Sequence, residues 1–278
     1  TVQNGEHAGD LFAAGDARWE EWNDGGGIDS IASVSSDGGK TWNYSFPLYF
    51  PDSYGYSSRA ATTIIDPGVV EGPDGTLYFI ADVNPTGSTT MYKTIGTGTG
   101  YVTVEGKRYL ALTENFDTSW GTAPSDDNLT AYPYYVDTFD ENGFAQILNR
   151  SDGSGTGFGV DEWYNIYSYQ DGEYADNLER STVVNDPDRK IQQNCFYKDS
   201  KFHVYSIDYI WVVRSTDGGR TWEHPRDITD QIKRPADTGE GALLVSPGKG
   251  ISTSTGDIVI GFYNTLNGES ASMVYSSD

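Results

Sequence analysis

Short apolar runs alternate with clusters of turn-forming residues along the whole chain. Ile28–Val34, Thr76–Ala81, Tyr101–Val104 and Arg108–Leu112 read as strands, and the pattern returns at Phe202–Ser206, Tyr209–Arg214, Ala242–Val245 and Asp257–Tyr263. Asp74-Gly75, Asn142-Gly143, Asp152-Gly153 and Asp171-Gly172 fall between such runs, and these dipeptides supply the positive φ angles of tight hairpin turns. No stretch carries helical periodicity over an ordinary helix length. The spacing predicts an all-β protein built hairpin after hairpin: a sandwich, a barrel or a propeller.

An internal repeat separates these. Ser35-Ser36-Asp37-Gly38-Gly39-Lys40-Thr41-Trp42 and Ser215-Thr216-Asp217-Gly218-Gly219-Arg220-Thr221-Trp222 share Ser-x-Asp-x-Gly-x-Thr-Trp, and each follows a strand. A third copy opens at Tyr275-Ser276-Ser277-Asp278. The physics is that of a self-closing hairpin turn: the carboxylate accepts backbone N–H groups, glycine supplies positive φ, and the indole packs beneath. Asp37 and Asp217 are therefore read as turn staples.

This repeat is the Asp box, and through it the chain resembles the bacterial sialidases (neuraminidases). The resemblance implies a six-bladed β-propeller of the sialidase type, with residues 1–278 as its catalytic domain. Six blades of roughly 50 residues want about 300 or more, so at least one blade is expected to be incomplete, leaving an open edge strand prone to self-association.

Charge and composition narrow the partners. The chain has 41 acidic and 18 basic side chains, a net charge of −23 and no basic cluster, which argues against nucleic acid and against anionic lipid surfaces. No apolar run reaches the roughly 18 residues that cross a bilayer, and the N-terminal residues do not read as a signal peptide. A lone Cys195 excludes an internal disulfide framework, and three histidines argue against a His-rich metal centre. No metal and no cofactor are assigned. An acidic, cysteine-poor, aromatic-rich chain fits a secreted or cell-surface bacterial protein, as the resemblance implies.

Candidate chemistry lies in three stretches. Gly15-Asp16-Ala17-Arg18 followed by Asp24-Gly25-Gly26-Gly27-Ile28-Asp29 resembles the sialidase Asp-x-Arg segment and its loop. There the resemblance makes Asp24 the general acid/base, which protonates the leaving glycosidic oxygen and then activates water, and makes Arg18 a substrate-facing residue. The blander alternatives are a turn aspartate before a glycine run, and an Arg18 ion pair with Asp16, Glu20 or Glu21. Thr63-Ile64-Ile65-Asp66-Pro67 resembles the strand that ends in Asp-Pro, so that Asp66 contacts polar groups of sialic acid and Ile65 lines the N-acetyl pocket; Asp-Pro also opens ordinary turns. Gln192-Gln193-Asn194-Cys195-Phe196, leading to Tyr209-Ile210-Trp211 and the second Asp box, offers Gln193 as a substrate contact.

The family uses a tyrosine nucleophile activated by a glutamate, outside the usual two-carboxylate scheme. A neutral tyrosine suits an anomeric carbon that already bears a carboxylate. Glu240, in Thr238-Gly239-Glu240-Gly241, is the candidate for that glutamate. Three arginines clamp the sialic acid carboxylate in the family. The Arg-Ile-Pro segment carrying the first is expected to precede Thr1, the third and the nucleophile to follow Asp278, and Asp257 stands where the second is expected. If Asp257 faces the pocket it repels an anionic sugar, unless Arg59, Arg150 or Arg180 compensates. The tyrosines from Tyr132 to Tyr169 are either a sugar-stacking platform or strand core.

The function implied is an exo-α-sialidase, a retaining glycoside hydrolase acting on sialylated glycoproteins, glycolipids and oligosaccharides, with intramolecular trans-sialidase as a sub-case. The alternative is a catalytically incomplete propeller that binds carbohydrate or serves as a structural or interaction module.

Overall fold

The computed structural model describes residues 1–19, 22–24, 26–51, 62–86, 96–116, 129–175, 179–180, 191–266 and 268–276. β1 (Leu11–Arg18) and β2 (Ile28–Ser35) form an unbroken antiparallel hairpin, to which β3 (Asn43–Ser45) adds beside β2. β4 (Thr63–Glu71) and β5 (Leu77–Asn84) form a second hairpin across the Asp74-Gly75 turn.

The chain then leaves this sheet. β6 (Tyr101–Val104), β7 (Lys107–Thr113), β8 (Tyr134–Val136), β9 (Phe144–Asn149), β10 (Gly155–Asp161), β11 (Ile166–Gln170) and β12 (Glu173–Ala175) build an antiparallel sheet of their own. The small pair β13 (Glu179–Arg180) and β14 (Ile191–Gln192) follows, and β15 (His203–Val204) returns to the far side of β7. Only then does β16 (Tyr209–Ser215) pair along the length of β5, with β17 (Arg226–Asp227) on its outer side. After the single helical turn α1 (Thr229–Ile232) comes a third antiparallel sheet of β18 (Leu243–Val245), β20 (Ile251–Ser252), β21 (Ile258–Asn264) and β22 (Ser270–Ser276), with the intervening β19 (Gly248–Lys249) pairing in parallel with β4.

Three antiparallel units therefore stand side by side, joined by little backbone pairing. One parallel pair, Ile28 with Thr63, connects the first to the second, and two, Gly68–Gly248 and Val69–Lys249, connect the second to the third. This is the arrangement of neighbouring propeller blades, incomplete among the described residues. The sheet inserted within the second blade is the departure from a simple succession of hairpins. On β22, the outer strand paired with β21, the side chains of Met273 and Tyr275 are exposed.

Both Asp boxes close as expected. Asp37 Oδ1 accepts the Lys40 and Thr41 N–H groups, each at 2.9 Å, and Asp217 Oδ1 accepts those of Arg220 and Thr221 at 3.0 and 2.9 Å. The indoles diverge. Trp222 packs edge-on against Phe12 and Phe79 and donates to Ser45 Oγ, clamping the second blade to the first. Trp42 instead is 45% exposed and bonds within its own turn, to the Gly39 carbonyl.

A continuous core joins blades and inserted sheet. Trp211 of β16 meets Phe50, Tyr164 and Phe196 at centroid distances of 5.5, 5.7 and 5.1 Å, contacts that add to the large area such rings bury. The tyrosine set resolves toward structure: Tyr132, Tyr135 and Tyr164 are buried, while Tyr134, Tyr167 and Tyr169 are partly buried and pack or bond within the inserted sheet.

Candidate active site

β1 places Phe12, Ala14 and Asp16 on one face, as the two-residue period of a strand requires. That face looks into a cleft of about 590 Å³ whose other walls include Asp66 and Val69 from β4 and Lys249 from β19. The inner strands approach closely because Gly68 has no side chain: a Cβ there would lie 2.4 Å from Ile260 Cδ1. Near the cleft's other end Glu71 accepts the Gln3 and Asn4 N–H groups and ties down the N-terminal segment.

Beside the cleft-lining Asp16, Arg18 bridges two carboxylates, Asp16 Oδ2 at 2.7 Å and Asp24 Oδ1 at 2.7 Å, and donates to the Trp22 carbonyl. The ion-pair reading of Arg18 thus holds for Asp16, and Asp24 joins as a second partner. Partial burial opposes its charge, but the bonds from Asp24 and Asp16 outweigh this and raise its pKa. The loop bearing Asp24 is tethered at its end: Thr63 Oγ1 donates to the Gly26 carbonyl and Trp19 N–H to that of Gly27. Asp24 itself is 54% exposed, accessible to a ligand.

Asp66 sits at a β-bulge between Ile65 and Gly68, with φ at 60°. Burial raises its pKa; the Tyr263 hydroxyl, donating to Oδ2 at 2.9 Å, opposes that, Asp16 and Asp24 add to it, and Arg18 counters. Tyr263 is a site residue that sequence reasoning missed. Burial and the Asp66 carboxylate both push its own pKa up. Ile65 is buried on β4 beside Asp66.

Beneath this group lies a buried ionic cluster. Asp82 of β5, paired with Ile65, accepts the Val245 N–H at 2.9 Å through Oδ1, while Oδ2 has no partner among the described residues. Burial pushes Asp82 well above the ordinary carboxylate range, helped by Asp208 and Asp66. Asp208 accepts the Leu243 N–H at 3.0 Å and pairs with Lys233 Nζ at 2.9 Å. These side chains fasten β18, and so the third blade, onto the second.

Other sequence candidates lie elsewhere. Glu240 is buried, its Oε2 accepts the Arg234 N–H at 3.0 Å, and no tyrosine hydroxyl meets it among the described residues. Gln193 belongs to the inserted sheet's loop, where its Oε1 accepts the Lys201 N–H at 2.8 Å. Asp257 does not face the cleft: Thr253 and Thr255 hydroxyls hold its carboxylate in the hairpin turn before β21. Arg150 donates to the Leu129 and Tyr132 carbonyls of the inserted region. Arg59 and the side chain of Arg180 lie outside the described residues, and no arginine lines the cleft among those described.

No family model matches the chain. An anhydrosialidase of Macrobdella decora is 28% identical over 97% of this chain and 36% of its own length, and sialidase B of Streptococcus pneumoniae is 24% identical over 94% and 37%. An intramolecular trans-sialidase of Ruminococcus gnavus, solved with oseltamivir carboxylate, superposes with a TM-score of 0.76 at 25% identity, over 97% of this chain and 56% of that one. The leech intramolecular trans-sialidase gives 0.77 at 25% identity.

The chain is similar to sialidases over nearly its whole length. It spans about a third of the length of the curated sialidases it matches. Among its described residues, no helix is long and apolar enough to cross a membrane.

Proposed function

We propose that this chain carries part of the catalytic domain of an exo-α-sialidase, a retaining glycoside hydrolase that removes terminal sialic acid from glycoproteins, glycolipids and oligosaccharides outside the cell. The observation that carries the reading is that Asp16 and Asp66 line one cleft between blades while Arg18 joins Asp16 to Asp24 beside it. Asp24, exposed on a tethered loop, protonates the departing glycosidic oxygen and then takes a proton from water. Arg18 holds the Asp24 carboxylate at the cleft between turnovers. Asp66 accepts hydrogen bonds from the sugar's hydroxyl groups, and Ile65 lines the N-acetyl pocket. In the same reading Gln193 is a substrate contact, and Glu240 activates the nucleophilic tyrosine after moving away from the Arg234 amide.

The test is turnover of a fluorogenic sialic acid glycoside. Asp24→Asn should lower the rate by about 100-fold or more, within the range for general acid–base catalysis. Equal rates would exclude Asp24 from that role.

A second reading rests on the relatives themselves. Two of those named above are intramolecular trans-sialidases, and the leech enzyme's structure holds 2,7-anhydro-Neu5Ac prepared from 3'-sialyllactose. In this reading a hydroxyl of the sugar's own tail, in place of water, attacks the anomeric carbon of the tyrosine-linked sugar, displaces the tyrosine oxygen and gives up its proton to Asp24. Mass spectrometry separates the two, because the anhydro product is one water lighter than free sialic acid.

A further inference from the structure

Asp66 occupies the left-handed region within a strand, where a non-glycine residue is held only by its surroundings. The bulge re-aims its side chain, as bulges beside active sites do. The group that meets it comes from another blade: Tyr263 lies on β21, and its hydroxyl reaches Oδ2 at 2.9 Å. Tyr263 is paired on one side with Leu244 and on the other with Ala271, so its backbone sits within the sheet. Asp82 and Asp208 grip the Val245 and Leu243 N–H groups on either side of Leu244. The hydroxyl is thus delivered by a strand that is itself fastened.

Asp66 Oδ1 accepts no hydrogen bond among the described residues. The charged and titratable groups facing Asp66 are Asp16, Asp24 and Arg18 from the first blade, Asp82 from β5 and Tyr263 from β21. Burial and the three neighbouring carboxylates favour the protonated acid there; the Arg18 guanidinium, already shared, and the hydroxyl donated to Oδ2 favour the carboxylate. Only the carboxylate is an acceptor at both oxygens.

We propose that Tyr263 is a positioning residue for sugar recognition, occupying Oδ2 of Asp66 so that Oδ1 is presented, ionised and oriented, to a hydroxyl of the terminal sugar. This rests on the sialidase reading above and adds a determinant of affinity supplied by the third blade.

The experiment is Tyr263→Phe in the full chain, read two ways. Binding of sialyllactose, measured by calorimetry, should weaken about tenfold, the equivalent of one hydrogen bond to a charged group. The Asp66 carboxyl, followed by carbon NMR without sugar and assigned with Asp66→Asn, should titrate at higher pH in the variant. In the Asp66→Asn background Tyr263→Phe should have no further effect on binding. Binding by the parent protein with unchanged affinity and an unchanged Asp66 titration in the variant would overturn the positioning role alone. Absence of sialyllactose binding by the parent protein would overturn the sugar-site reading, and this proposal with it.

Discussion

Lys233 Nζ lies 2.9 Å from Asp208 Oδ1, and neither side chain has any solvent exposure. Asp208 also holds the Leu243 N–H, so the pair serves to dock one blade on another rather than to decorate a surface. Burial pushes the Asp208 pKa up, and the Lys233 ammonium opposes that.

Lys233→Ala should therefore cost about 3–5 kcal/mol, because it leaves a buried carboxylate unpaired. Lys233→Met combined with Asp208→Leu should recover much of that loss, since two apolar groups need no partner. Urea denaturation of the three proteins checks both statements. A single replacement as mild as the double one would show that water reaches Asp208.

The two Asp boxes should differ in their contribution. Asp217 staples a turn whose indole is packed between blades, whereas the Asp37 turn presents its indole to solvent. Asp217→Ala should destabilise by about 1–3 kcal/mol through the lost bonds to Ser215, Arg220 and Thr221, and Asp37→Ala by clearly less. Hydrogen bonds from Thr41 and Ser35 pull Asp37 down to about 2; at Asp217 burial opposes, but the Thr221, Ser215 and Arg220 bonds also bring it to about 2. A depressed carboxylate stabilises the fold above its unfolded value and loses that contribution as pH falls through the folded one. Stability should thus decline from about pH 4 towards pH 2 in the parent protein, and less steeply in Asp217→Ala.

Asp227 has the opposite sign. Burial raises it to about 6, against the bonds from Thr229 and Tyr101. Here the folded state binds the proton more tightly than the unfolded one. Its contribution is present at low pH and is lost as pH rises from about 4 to 6, by at most about 3 kcal/mol. Asp227→Asn should remove that slope from the pH dependence of the thermal midpoint. An unchanged slope would place the titration elsewhere.

Much of the fold was legible because its signals are local. Asp-Gly and Asn-Gly turns, strand alternation and the repeated Asp box each need only neighbouring residues, and each predicted strand found its place, though Phe202–Ser206 shortened to His203–Val204. The Arg18–Asp16 ion pair was equally readable, since the two lie two residues apart on one strand, but the pairing of Arg18 with Asp24 across the loop was not named. The insertion was not legible. Residues 96–116 and 129–175 alternate strands and turns in the same idiom as the blades, and periodicity names a face without naming the sheet it joins. Tyr263 was illegible for a related reason: an aromatic in an ordinary strand gives no sign that its hydroxyl meets an aspartate from another blade. Lys233, in the polar run Asp227-Ile228-Thr229-Asp230-Gln231-Ile232-Lys233, reads as a solvated side chain, and only the packing of α1 beneath the third blade buries it.

The pairing of Val83 with Tyr209 imposes an order on the chain's assembly. A ribosome releasing this polypeptide delivers β4 and β5 long before β16 exists, so β5 must wait with one edge unsatisfied while the entire inserted sheet emerges. Contacts so distant in sequence form slowly, because loop-closure entropy is lost before they reward it. Trp211, which arrives with β16, finds Phe50 and Phe196 already synthesised and completes their cluster. The second blade is thus the last of the first two to close, and during that interval the waiting strand β5 is where misassembly between nascent chains would begin.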